Sequence, residues 1–177
     1  MSNFYTNPHS DLVETPTIGA NKVRELRKRT LEMCSTDEGD YMCILTQGTT
    51  SGCSMLANLY PWGETGGVFA NLLDKHTSVI GMRGVAAKEG ARIVPVPWNE
   101  ARNASIMRQA WLLNNSSGEA EVIGPGGRLF AFPLESNFSG KRDNVSEVMD
   151  SLKGTASNQP VGDWLVLLDA SRACSSY

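Results

Sequence analysis

Apolar residues in this chain fall into short runs separated by polar, glycine-rich stretches, and the period within the runs changes along the sequence. Residues 1–15 form an irregular arm, and Thr15–Pro16 then reads as a helix start. Val23, Leu26, Thr30 and Met33 follow at helical spacing among Arg and Lys. Tyr41–Gln47 (YMCILTQ) has the length and composition of a strand, with GTTSG and a helix through Met55, Leu56 and Leu59 after it. Gly66–Leu73 predicts a second strand, and DKHTS leads from it into a helix near Val79–Lys88. Ala91–Trp98 predicts a third strand at the sheet periphery, because Pro95 and Pro97 cannot donate ladder hydrogen bonds. NEARNASIMRQAWLL is compatible with a helix, and NNSSGEAEVIGPGG reads as a loop or insertion. Arg128–Glu135 and Trp164–Ala170 predict the fourth and fifth strands. Between them Asn144 can cap a helix with Glu147 three residues on, and Val145, Val148, Met149 and Leu152 lie at i, i+3, i+4 and i+7.

Strands alternating with helices predict an α/β fold: three layers, α/β/α, around a mostly parallel sheet. The continuous apolar run WLVLL fits a strand buried on both faces. A length of 177 residues suits one domain with a real core. Hydrophobic residues at 41% and charged ones at 20% indicate a globular chain. The net charge of −3 argues against a general nucleic-acid or anionic-membrane binder. No apolar run approaches the roughly 20 residues a membrane helix needs. The first residues lack the basic start and apolar middle of a signal peptide, which points to a cytoplasmic protein. Cys34, Cys43, Cys53 and Cys174 form no C-x-x-C pair, and His9 and His76 are the only histidines, so a zinc site is not expected.

In open α/β sheets ligands bind beyond the carboxyl ends of the strands. TQGTTSG brings glycine, hydroxyls and free amides to a helix N-terminus, an arrangement suited to a phosphate. An ordinary capping turn would look the same, because neither a Walker lysine nor G-x-G-x-x-G is present. His76 sits at a strand end, where it can stack on a flat ligand, move a proton or simply cap a helix. Asp169 follows a buried-type strand, where a carboxylate requires a cation, a protonated ring nitrogen or several amides, unless it only holds a turn. Asn137 in SNFSG can donate to a ring oxygen or fix a turn. The set suits a phosphorylated heteroaromatic cofactor with a basic ring nitrogen. No G-x-S-x-G or Ser-His-Asp arrangement supports a hydrolase.

FYTNPHS, YMCILTQGTTSG, DKHTSVIGMRGVA, LFAFPLESNFSG and WLVLLDAS occur in this order. With them the chain resembles the N-terminal part of the molybdenum cofactor sulfurases. These are class V aminotransferase-like, pyridoxal-phosphate enzymes related to the cysteine desulfurases. H-x-S-V-x-G-x-R and F-x-x-x-S-N-F-S-G favour the sulfurase branch.

The resemblance implies an incomplete large domain of the fold-type I pyridoxal-phosphate enzymes over residues 1–177. It further implies that Thr49 and Thr50 hold the cofactor phosphate, His76 stacks on the pyridine, Asn137 bonds near the ring oxygen and Asp169 pairs with the ring nitrogen. His9, in NPHS, would lie near the substrate entrance. The family takes sulfur from L-cysteine, releases alanine and passes the sulfur to the molybdenum cofactor, often as dimers. Three departures stand out. Gln47 replaces a more usual Ser, and Arg172 and Cys174 stand where the family is small and apolar. The family's Schiff-base lysine and persulfide cysteine lie downstream of the position matched by Asp169, and no lysine follows Asp169 here. The expectation is therefore a fragment, catalytically inactive alone. The alternative is a non-catalytic, truncated paralogue that binds a partner, such as a second copy or a full-length homologue, through an uncovered sheet edge.

Overall fold

The computed structural model describes residues 18–62, 67–74, 76–103, 127–142, 144–153 and 164–173. The 1–15 arm with His9, most of the predicted 99–127 helix and loop, and Cys174 lie outside the described residues. The chain divides into two compact units, Met1–Thr46 and Gln47–Tyr177.

In the first unit, helix α1 spans Ile18–Met33. It ends in a Schellman turn: the Thr36 amide donates to the Leu31 carbonyl at 3.1 Å and the Ser35 amide to that of Glu32 at 2.9 Å. Ser35 takes the left-handed position at φ 56°, where glycine is the usual residue. Tyr41–Gln47 is not a strand, contrary to the sequence expectation. Tyr41 is 62% and Met42 82% exposed, and together with Leu31 and Arg27 they line a hollow in this unit. An apolar run becomes a strand only when a neighbouring edge accepts its backbone groups, and none of the described strands pairs with it.

In the second unit, α2 (Thr49–Leu59) precedes β1 (Val68–Leu72), α3 (Thr77–Lys88), β2 (Arg92–Val96), the short α4 (Trp98–Ala101), β3 (Arg128–Pro133), α5 (Val145–Lys153) and β4 (Leu165–Asp169). The strands form one sheet in the order β2-β1-β3-β4. All three pairings are parallel. β2 lies at one edge with Pro95 exposed, as its two prolines predict. β1 and β3 are buried along nearly their whole length.

Alternation along the strands divides the core into two layers. Phe69, Leu129 and Ala131 face α2 and α3, meeting Ala57, Val79, Met82 and Ala86. Ala70, Leu72, Phe130 and Phe132 face the other way, against Val148 and Leu152 of α5 and Ala101 of α4. The Ser151 hydroxyl donates to the Ala101 carbonyl at 2.7 Å and ties α5 to α4. Asn144 caps α5: its Oδ1 accepts from the Ser146 amide at 3.1 Å, and its Nδ2 donates to Glu147 at 3.2 Å. Two glycines let the chain pass closely under the 60–62 turn. A Cβ on Gly67 would lie 2.4 Å from the Trp62 carbonyl oxygen, and one on Gly127 would lie 2.5 Å from that of Pro61.

β4 corrects the expectation of burial on both faces. Val166 and Leu167 pack against opposite layers of the core, yet Leu165 is 61% and Leu168 39% exposed. The reason is position: β4 ends the strand order and is paired with β3 alone among the described strands.

Phe130 is fully buried in the central strand and meets Phe132 and Trp164 at centroid distances of 5.5 and 6.4 Å. Phe130→Ala should therefore cost about 3–5 kcal/mol in urea unfolding. Phe138, 85% exposed, should change stability by less than about 0.5 kcal/mol on the same substitution. Equal losses would show that the core is not centred on β3.

Candidate functional site

Parallel pairing brings the carboxyl ends of β1, β3 and β4 to one side of the sheet. His76 follows β1, Asn137 follows β3, and Asp169 ends β4 opposite Pro133. The N-terminus of α2, with Thr49 and Thr50, joins them through α3. The Thr50 and Ser78 hydroxyl oxygens are 2.7 Å apart, and Ser78 Oγ is 2.8 Å from His76 Nδ1. Ser78 is buried in the first turn of α3, and its amide also donates to Nδ1 at 3.2 Å. Nδ1 thus accepts, which leaves the neutral imidazole's proton on Nε2. The consistent arrangement runs from the Thr50 hydroxyl to Ser78 Oγ and from the Ser78 hydroxyl to Nδ1. His76 is the N-cap of α3, and its ring is exposed. α3 is fixed to the sheet at a second point, where Arg83 Nε donates at 3.0 Å to Oδ1 of Asn71, a fully buried polar residue in β1.

The N-terminus of α2 carries no side-chain cap, and its N-cap residue, Gly48, has φ 94° and ψ 174°, a region open to glycine. The first-turn amides and the Thr49 and Thr50 hydroxyls therefore suit an anion. Asp169 is half-buried, and its Oδ1 accepts from the Ser171 amide at 3.1 Å and hydroxyl at 2.6 Å. The turn-holding reading of Asp169 is thus realised through Oδ1. Asp169 also acts on α2: burial first, and the Asp169 charge second, push the Cys53 thiol above its ordinary pKa.

Asn137 lies in a tightly folded loop. Ser136 Oγ accepts from the Phe138 and Ser139 amides at 3.2 and 3.0 Å, and Gly140 closes the turn at φ 68°. Glu135 and Arg142 form an antiparallel bridge, with Arg142 Nε donating to Glu135 Oε2 at 2.7 Å. Arg172 Nε lies 2.9 Å from Glu135 Oε1, and its Nη1 donates to the Asn137 carbonyl at 2.5 Å. The Arg142 hydrogen bond, with the charges of Arg142 and Arg172, holds the Glu135 carboxyl below its ordinary pKa. The sequence reading gave no role to Ser78 or Asn71 and treated Arg172 only as a departure. The polar DKHTS segment after β1 was the one signal for Ser78. His9 lies outside the described residues. Among the described residues no cluster of three or more His, Cys, Asp or Glu could hold a metal ion, and no helix is long and apolar enough to cross a membrane.

A parallel sheet in the order β2-β1-β3-β4, with helices packed on its two faces, is an α/β fold of the fold-type I kind. A solved structure of C-DES, a lysine-to-alanine mutant with glycine covalently linked to its pyridoxal-phosphate cofactor, has this fold. It matches 90% of this chain and 40% of its own, with a TM-score of 0.64 at 19% identity. In sequence the chain is homologous to the molybdenum cofactor sulfurases. It is 34% identical to that of Danio rerio over 96% of this chain and 20% of the relative. It is 34% identical to that of Bos taurus over 97% and 19%, and 33% identical to that of Homo sapiens over 99% and 20%. The chain spans about one fifth of the length of the curated relatives it matches. No family model matches it.

Two measurements check this geometry. Among the described cysteines, in the native protein a thiol reagent should label exposed Cys34 first and buried Cys53 last, with Cys53 labelling accelerating only at alkaline pH. Equal rates would contradict the burial of α2 against the sheet. Glu135 has a depressed folded pKa, so its contribution is fully present above the ordinary glutamate range and is lost as pH falls through the lowered value. Amide signals of residues 135–142 should accordingly shift together with a midpoint below the ordinary glutamate value. A midpoint at or above the ordinary glutamate value would remove the ion pairs from the account.

Proposed function

We propose that this chain supplies the noncovalent half of a pyridoxal 5'-phosphate site of the kind used by molybdenum cofactor sulfurases. The observation that carries the reading is the Ser78 hydroxyl, which couples Thr50 at the uncapped start of α2 to His76 at the end of β1. The donor set fits the cofactor. Thr49, Thr50 and the first amides of α2 would hold the phosphate, and the exposed His76 ring, fixed through Nδ1, would stack on the pyridine. Asn137 would donate near the ring oxygen. Asp169 would keep a proton on the ring nitrogen, a charge-assisted bond. When bound, the cofactor supplies a cationic ring that withdraws electrons from bonds to a substrate amine.

The substrate in this reading is L-cysteine, with alanine released and sulfur passed on toward the molybdenum cofactor. The contacts proposed from Thr49, Thr50, His76, Asn137 and Asp169 are phosphate, stacking, hydrogen-bond and ion-pair contacts, none of them covalent, and residues 170–177 add no lysine. The 177-residue chain alone should therefore bind the cofactor reversibly and release no alanine from cysteine. A second reading, a partner-binding module, is favoured by one observation, the exposed Leu165 and Leu168 of β4. It expects concentration-dependent association in size exclusion.

Absorbance titration with pyridoxal phosphate tests the first reading. The wild-type chain should bind, and Asp169→Asn should weaken binding about 10–100-fold, since a hydrogen bond to a charged group contributes about 1.5–3 kcal/mol. Absence of binding by the wild-type chain sinks the reading, as does an Asp169→Asn variant that binds equally well. Alanine formation by the chain alone would overturn the claim of inactivity.

A further inference from the structure

We propose that Arg172 is a positioning residue that fastens the Asn137 loop to the Asp169 turn, so that the two polar edges of a bound pyridine ring meet their partners at one fixed spacing. This rests on the cofactor reading above and assigns a part to a residue outside it. Each of the two segments is tied internally by hydrogen bonds. Residues 135–142 are held by the Ser136 hydroxyl, the Glu135–Arg142 bridge and the turn at Gly140. Residues 169–171 are held by Asp169 Oδ1 and the Ser171 amide and hydroxyl. The backbone joins them at the strand ends, where the Leu134 amide donates to the Asp169 carbonyl at 2.9 Å. Beyond that point Arg172 bridges the two segments by its side chain, reaching Glu135 with Nε and the Asn137 carbonyl with Nη1.

The geometry needs a guanidinium. Its rigid fork directs two donors at two acceptors, a carboxylate and a carbonyl, in fixed relation. Lysine can meet either with a single swivelling ammonium and loses the fixed angle. Arg142 occupies the other Glu135 oxygen, so the carboxylate is oriented before Arg172 meets it. Arg172 and Arg142 are both partly exposed, so the ion pairs add little to global stability. Their effect is on placement, and a site held a fraction of an ångström too loosely loses affinity out of proportion to stability.

The experiment compares wild type, Arg172→Lys and Arg172→Met in three readouts: 15N relaxation of residues 135–139 without ligand, affinity for pyridoxal phosphate, and the amide shifts of Thr49 and Thr50 under inorganic phosphate. Arg172→Met should leave the thermal midpoint nearly unchanged, raise loop mobility and weaken pyridoxal phosphate about tenfold. Arg172→Lys should recover part of both, and the inorganic phosphate response should stay the same in all three. Wild-type relaxation in the Arg172→Met loop overturns the clip. A loosened loop with undiminished cofactor affinity overturns its positioning role, and so does a parallel loss of the phosphate response. If the wild-type chain takes up no pyridoxal phosphate, the functional reading fails, and loop relaxation alone decides whether Arg172 joins the two segments.

Discussion

Everything polar at the ligand end of this sheet depends on the backbone pairing of β3. This strand lies between β1 and β4, the two other strands whose carboxyl ends carry candidate site residues, and its register sets their relative heights. Asn71 sits opposite Ala131, and Asp169 sits opposite Pro133. A slip of one residue would reverse the face of every side chain on the moved strand and displace the acid from the level of the Asn137 loop. The fully buried Phe130 and Phe132 resist such a slip, because each face of β3 has its own layer to fill. The site is thus a by-product of core packing: hydrophobic register holds the chemistry in line.

The polar residues at that end commit some of their atoms to the fold and leave others for the proposed ligand. His76 uses Nδ1 to cap α3 and leaves Nε2 and the ring face outward. Asp169 commits Oδ1 to Ser171 and retains a second oxygen. Capping and ligand holding are therefore not rival readings of these residues, because a ring with two nitrogens and a carboxylate with two oxygens can do both. Local capping also fixes orientation before any ligand arrives, which lowers the ordering cost of binding. Thr50 is drawn into the same arrangement through Ser78, so the start of α2 and the His76 ring share one buried hydroxyl.

What the sequence made legible was what depends on neighbours in the chain. β1, β2, β3 and β4 fall inside the runs predicted for them, and Pro95 and Pro97 set β2 at an edge because a missing donor is a local fact. The Asn144 cap was equally local. Tyr41–Gln47 failed because an apolar run states only that a strand is affordable, and pairing is decided elsewhere. Ser78 and Arg172 were missed for a related reason: their decisive partners lie 28 and 35 residues away in sequence. Asn71 was concealed inside a strand read as apolar, where its value lies in meeting Arg83 from the next helix.

β4 shows what a mismatch between pattern and burial can mean. Successive strand residues point to opposite faces, so a strand with one wet face would expose alternate positions. Leu165 and Leu168 are three apart and lie on opposite faces, and both are exposed. Between them Val166 and Leu167 each reach a different layer of the core. The exposure is therefore that of an edge unpaired among the described strands, not of a solvent-facing sheet surface, and the side chains remain those of an interior parallel strand. A helix laid on one face would cover one of these leucines and leave the other bare. Covering both requires another strand along the β4 edge with layers above and below it, so the second functional reading demands a partner that extends the sheet.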